Sequence, residues 1–158
     1  MVRILGLDPG SRITGYGVVD AGQSGVRYVA SGCIRVGNSA MAGRLLEIHR
    51  HVVELVDVYT PGEIAIERVF MHRNADSALK LGQARGAALC GACHAGAPVF
   101  EYAPRAVKQT VTGTGAADKA QVLHMIKALL ALQGRLSADA ADALAIALCH
   151  AQHRGNGR

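Results

Sequence analysis

The sequence predicts an α/β fold with a mixed five-stranded sheet flanked by helices, and three observations lead there. The first 36 residues hold three β-favouring runs joined by short, glycine-containing turns, the pattern of an antiparallel meander. From Ala40 apolar residues recur every three or four positions as far as Tyr59, which is a helical period. After that, short apolar strands alternate with helical stretches, and a strand that follows a helix lies parallel to an earlier strand through a crossover.

The elements follow in order. Val2–Asp8 runs apolar into a carboxylate before Pro9-Gly10 stops it, as turn residues do. Gly15–Asp20 and Val26–Val36 complete the meander. Gly15 and Gly17 leave room for a ligand or a backbone near the Asp8 turn, or mark a twist or bulge. The helix over 40–59 stops at Thr60-Pro61-Gly62. Glu63–Glu67 is a short strand that also ends on a carboxylate. A helix from about Asp76 to Ala95 carries Gly82 and Gly86 four apart, suited to close packing on a sheet or on a second copy of itself. Pro98–Tyr102 is the last strand and Ala103–Val111 a short helix. The glycine- and threonine-rich loop over 110–117 has no Lys-Ser/Thr after it, so a P-loop is not supported. Asp118 and Gln121 stand in capping-box spacing. Ser137 caps a final helix from Ala138 to about Gln152. Residues 1–152 are expected to form one domain, and 153–158 a basic, disordered tail.

A formal net charge of +5 and a pI near 9.3 suit an acidic partner such as nucleic acid. No apolar run reaches the length of a membrane span, and the N-terminus shows no signal-peptide pattern, so a cytoplasmic protein is expected. Cys90-Gly91-Ala92-Cys93-His94 matches both a haem-attachment string and half of a zinc site. Haem attachment needs export, and zinc needs a second ligand pair. The two thiols are therefore expected to pack as small apolar residues.

The chain has twelve acidic residues, so their placement carries information. Asp8 and Glu67 end neighbouring parallel strands, and Asp139 and Asp142, three apart, open the last helix on one face. Carboxylates gathered in one cleft repel each other and resist desolvation unless cations neutralise them. An all-oxygen donor set selects a hard cation, magnesium or manganese, and two such ions suit in-line displacement at a phosphodiester. Phe70 follows Glu67 in a loop with Arg68, His72 and Arg73. It either folds back onto the core or stacks on an unpaired base, and its place beside Glu67 favours stacking. Lys119 sits in the first turn of a helix, where a cation opposes the dipole unless a phosphate, or solvent, compensates.

Five stretches, ILGLDPGSRITGYGVV, IAIERVF, NADSALKLGQARG, VFEYAPRAVKQTV and ADAADALAIA, occur in this order. Together they resemble the RuvC family of Holliday junction resolvases over essentially the whole chain. The resemblance implies a ribonuclease H-like fold, a homodimer, and magnesium-dependent cleavage of four-way DNA junctions in recombination and repair. Cleavage is expected to be by paired symmetrical nicks that leave 5′-phosphate ends. It implies RuvA and RuvB as protein partners. It puts the catalytic and metal-holding carboxylates at Asp8, Glu67, Asp139 and Asp142, the stacking aromatic at Phe70 and DNA-contacting lysines at Lys108 and Lys119. Arg73, Lys80 and Arg85 are further expected DNA contacts. Two Mg2+ ions are expected per site, with Mn2+ able to substitute: Asp8 bridging both, Glu67 on one, Asp139 and Asp142 on the other. Two rivals remain: an actin-like ATPase, for which the chain is short, and a non-enzymatic nucleic-acid-binding module, which leaves the carboxylates without purpose.

Overall fold

The computed structural model describes residues 1–69 and 74–155. Strands β1 (Val2–Asp8), β2 (Ile13–Gly22) and β3 (Gly25–Arg35) form the expected antiparallel meander. Helix α1 (Met41–Tyr59) crosses over to β4 (Glu63–Glu67), which pairs parallel with β1. Helix α2 (Ala75–Ala92) and a 3-10 turn at Cys93–Ala95 lead to β5 (Val99–Tyr102), parallel to β4. The sheet order is β3-β2-β1-β4-β5. Helices α3 (Pro104–Thr112), α4 (Lys119–Leu129) and α5 (Ala138–Gly155) complete the chain.

The boundaries follow local chemistry. The Asn74 side chain accepts from the amides of Asp76 and Ser77 to start α2, and Asp118 and Gln121 form the complete capping box of α4. Helix α1 ends with Thr60 in the left-handed region at φ 45°, its amide bonded to the Val56 carbonyl.

Alternation along the strands builds two cores. On one face Leu5, Leu7, Ile64 and Ile66 meet Ile48 and Val52 of α1 and Ala84 and Ala88 of α2. On the other, Ile4, Val19 and Ala65 meet Leu144 and Ala147 of α5, with Val107 and Ile126 closing the edge. Burying each large aliphatic side chain contributes about 1.5–3 kcal/mol. The same alternation puts Gly6 and Asp8 on the α5 face.

Here the strand glycines find their use. A Cβ on Gly6 would overlap the Ala143 carbonyl, one on Gly15 would overlap the Asp139 carbonyl, and one on Gly17 would crowd Leu144. Gly15 and Gly17 thus admit the backbone and Leu144 of α5. Gly82 and Gly86, by contrast, face open space on the outer side of α2, so sheet packing does not account for them.

Three expectations are corrected. Cys90 and Cys93 are exposed, because the buried line of α2 is Ala84, Ala88, Gly91 and Ala92, which leaves the thiols off the core. Helix α2 stops at Ala92 and tightens into the 3-10 turn. Helix α5 continues beyond Gln152 to Gly155, because His153 and Arg154 have partners. His153 Nδ1 lies 2.8 Å from the Cys149 carbonyl, and Arg154 makes two bonds to Glu63.

Candidate active site

Leu7 and Ile66 are the last registered pair of β1 and β4. Asp8 and Glu67 are therefore the next residues on adjacent parallel strands, on one face of the sheet. Asp8 pairs across β2 with Gly15, the residue over which the Asp139 backbone sits. The first turn of α5 is thereby laid against the end of β1, with Asp142 three residues further along the helix. Ser137 Oγ accepts from the Ala140 amide at 3.3 Å to start that helix. Buried Thr14 closes the Asp8-Pro9-Gly10 turn: its hydroxyl accepts from the Gly10 amide and donates to the Gly10 carbonyl, both at 3.3 Å.

The four acids lie close enough for their charges to act on one another. Asp8 is pushed up to about 7, chiefly by burial, then by the charges of Asp142, Glu67 and Asp139, with Lys119 opposing. Burial and Asp142 raise Glu67, against the pull of Lys108 and Lys119. Burial also raises Asp142; Lys119 draws it back and Asp139 pushes it up. Lys119 Nζ lies 3.6 Å from Asp142 Oδ2. The compensation for a lysine at the start of α4 is thus a carboxylate across the cleft. Carboxylates elsewhere are better matched: Asp20 is held below the usual range by its hydrogen bond to Arg3, with Arg27 adding to it.

The sequence-derived DNA contacts divide. Lys108 and Lys119 stand where their charges reach the acidic cleft. Lys80 is exposed on α2 and pairs with Asp76 at 2.7 Å. Phe70 and Arg73 lie outside the described residues. Arg85 is turned inward, with its side chain 16% exposed. Its Nε donates to the Glu67 carbonyl at 3.3 Å and its guanidinium pairs with Glu101 at 2.8 Å. That guanidinium supports the strand end carrying Glu67 and is committed within the protein. Sequence reading missed this support, because nothing in the local pattern of α2 says which strand its arginine meets.

The donor set fits a hard divalent cation: four carboxylates, with a proton held on Asp8 near neutrality where a cation would displace it. Among the described residues, no three His, Cys, Asp or Glu side chains close around one point at ligand distance. The acids ring a cleft, and water and phosphate oxygens would complete the coordination, as magnesium sites commonly require.

Such a cleft, on a mixed sheet of this order in a chain of charge +5, belongs to a divalent-metal nuclease. A model of the RuvC family, described as crossover junction endodeoxyribonuclease RuvC, matches residues 4–150. The chain is 60% identical over 151 residues to the crossover junction endodeoxyribonuclease RuvC of Chromohalobacter salexigens, covering 96% of this chain and 81% of that one. It is 55% identical over 151 residues to the protein of the same name from Dichelobacter nodosus, covering 96% and 86%. The structure of T. thermophilus RuvC in complex with Holliday junction substrate superposes with a TM-score of 0.91. The two are 35% identical, with 99% of this chain and 97% of that chain covered. The chain belongs to the RuvC family of crossover junction endodeoxyribonucleases, and its fold is ribonuclease H-like. Family membership carries the use of a divalent metal.

Proposed function

We propose that this protein binds four-way DNA junctions and resolves them by paired symmetrical nicks during recombination and repair. The observation that carries this reading is Asp8, half-buried at a strand end with the charges of Asp142, Glu67 and Asp139 acting on it. Asp8 and Glu67, with Asp139 and Asp142 opposite, would hold two magnesium ions, with manganese able to replace them. The chemistry such ions would supply there is activation of a water and stabilisation of the departing 3′ oxygen, which would leave a 5′-phosphate.

The chain's own residues do the rest. The β1 turn, closed by Thr14, fixes Asp8. Arg85 holds the carbonyl of Glu67, and the glycine trench seats the start of α5. Lys119 and Lys108 temper the acidic cleft while the metal is absent. They become available to the scissile strand's phosphates once cations take over the carboxylates. Phe70, three residues beyond Glu67 in sequence, would stack on a base unpaired at the crossover, with Arg73 and Lys80 on nearby phosphates.

Two such sites, presented with two-fold symmetry, would cut strands of like polarity. The outer face of α2 suits that pairing: Leu79 is 71% exposed and Gly82 and Gly86 face open space. Cytoplasmic location and cooperation with RuvA and RuvB belong to the same reading. No helix among the described residues is long and apolar enough to cross a membrane.

The test is incubation of the purified protein with labelled four-way junction and linear duplex, with and without magnesium. Paired, symmetrical nicks in the junction alone, and with magnesium alone, are expected. Equal cutting of linear duplex, or junction binding without nicking, would overturn the reading.

A further inference from the structure

At the end of β4 remote from the carboxylate cleft lies a polar cluster, centred on buried His150, that the proposed chemistry does not use. Glu63 opens β4, and its carboxylate accepts from His150 Nε2 at 2.7 Å and from Arg154 Nε and Nη2 at 2.7 and 2.9 Å. His150 is 2% exposed. Its Nδ1 lies 2.7 Å from the Tyr102 hydroxyl, and Phe100 stacks on its ring with centroids 4.4 Å apart. One neutral tautomer satisfies every partner: Nε2–H donates to Glu63 and Nδ1 accepts from Tyr102. Burial keeps the imidazole below its ordinary pKa despite Glu63, and the hydrogen bond from Arg154, then that from His150, hold Glu63 below the carboxylate range.

This cluster ties α5 to β4, and these two elements carry three of the four site carboxylates at their other ends. Glu63 and Glu67 are four strand residues apart, about 13 Å. Asp142 and His150 are eight helical residues apart, about 12 Å. The two arms match in length, so a slip at the Glu63–His150 end reappears undiminished at the Glu67–Asp142 end. On the strands beside β4, Gly6 and Gly15 lie against backbone of α5 and Ala147 packs on Gly6, while Leu144 seats over Gly17. Glycine against alanine gives close approach but few interlocking knobs to resist sliding along the helix axis.

We propose that Glu63, His150 and Arg154 form an axial pin that sets the register of α5 on β4, making them positioning residues for the carboxylate cleft. The pin rests on the reading of that cleft as a divalent-metal site. It acts through placement, because no member of the cluster belongs to the cleft.

The test measures Mn2+ binding to the intact protein by calorimetry, without DNA, in wild type, Glu63→Ala, Glu63→Gln, Arg154→Ala and Asp8→Asn. Urea unfolding of each variant identifies those folded at the assay temperature. Glu63→Ala removes a negative charge and Arg154→Ala a positive one, so a purely electrostatic influence would shift cation affinity in opposite directions. The pin requires both to weaken Mn2+ binding, by roughly 10-fold, the low end of the range for outer-shell substitutions. It also requires kcat on junctions to fall while KM for the junction stays within twofold. Glu63→Gln, which keeps an acceptor for His150, should lose less and serves where Glu63→Ala does not fold. Tighter or unchanged Mn2+ binding by folded Arg154→Ala overturns the pin while leaving the metal site standing. Wild type binding Mn2+ no better than Asp8→Asn overturns the metal site, and the pin with it.

Discussion

Substituting Asp8 by Asn should stabilise the metal-free protein at neutral and alkaline pH while abolishing cleavage. The Asp8 carboxyl moves from an ordinary value of 3.8 to about 7, roughly three units, and each unit is worth about 1.36 kcal/mol. The ceiling is therefore about 4 kcal/mol, and relaxation of the crowded cleft brings the expected gain to about 2–3 kcal/mol. Between pH 4 and 7 the folded protein keeps a proton on Asp8 that the unfolded chain has released. Wild-type stability thus falls as pH rises through this window, and the full penalty is present above pH 7. Asparagine does not titrate. The gap between Asp8→Asn and wild type should be close to zero near pH 4, widen through neutrality and level off by pH 8. There it corresponds to a rise in Tm on the order of 5–10 °C for a chain of this size. The assay is thermal or urea unfolding in EDTA across that pH range. Adding magnesium should reverse the order, because ligand binding stabilises only the protein that binds it. A gap independent of pH, or a variant less stable than wild type at pH 8 in EDTA, would refute the crowded-carboxylate reasoning.

Other predictions rest on separate features. Phe70→Ala should leave Mn2+ binding unchanged and lower junction cleavage about tenfold, in line with the loss of one base stack; unchanged cleavage would return Phe70 to a packing role. Arg85→Lys should lower kcat severalfold without changing the salt dependence of junction binding, since its guanidinium supports the Glu67 carbonyl and pairs with Glu101. A weaker salt slope would mark it as a phosphate contact after all. On the proposed two-fold pairing, Leu79→Arg should preserve the fold, because Leu79 is exposed, yet yield a monomer by light scattering and uncouple the paired nicks. A variant that remains dimeric would move the interface elsewhere. Gly15→Ala should cost about 1–3 kcal/mol by overpacking and depress cleavage further than that loss explains, because the added methyl meets the Asp139 carbonyl. Retained activity would show that α5 can shift without disturbing the cleft.

The strands, helices and caps were legible because their causes are local. The bounds of β4 coincide with the run from Glu63 to Glu67, and the Asp118–Gln121 box forms as its spacing predicts. The placement of the four carboxylates at element ends was legible for a related reason, since a parallel pair of strands must end on the same edge; the site role of Asp139 and Asp142 came from the family resemblance. The exposure of Cys90 and Cys93 was misread, since an alanine-rich helix gives periodicity too weak to say which face is buried. The tail was cut short because Arg154 looks like a solvated cation until Glu63, 91 residues away in sequence, is placed beside it.

The sequence by itself determined which elements form, in what order, and which acids stand at their ends, all through interactions spanning a few residues. Only the tertiary structure decided what lies across from what. Gly15 makes room for the Asp139 backbone, Lys119 answers Asp142, Arg85 turns inward to Glu67, and Glu63 receives both His150 and Arg154. Each of these pairings joins residues at least 18 positions apart. Their charge and hydrogen-bonding needs are written in the chain, but the packing of α2, α4 and α5 on the sheet chooses the partner.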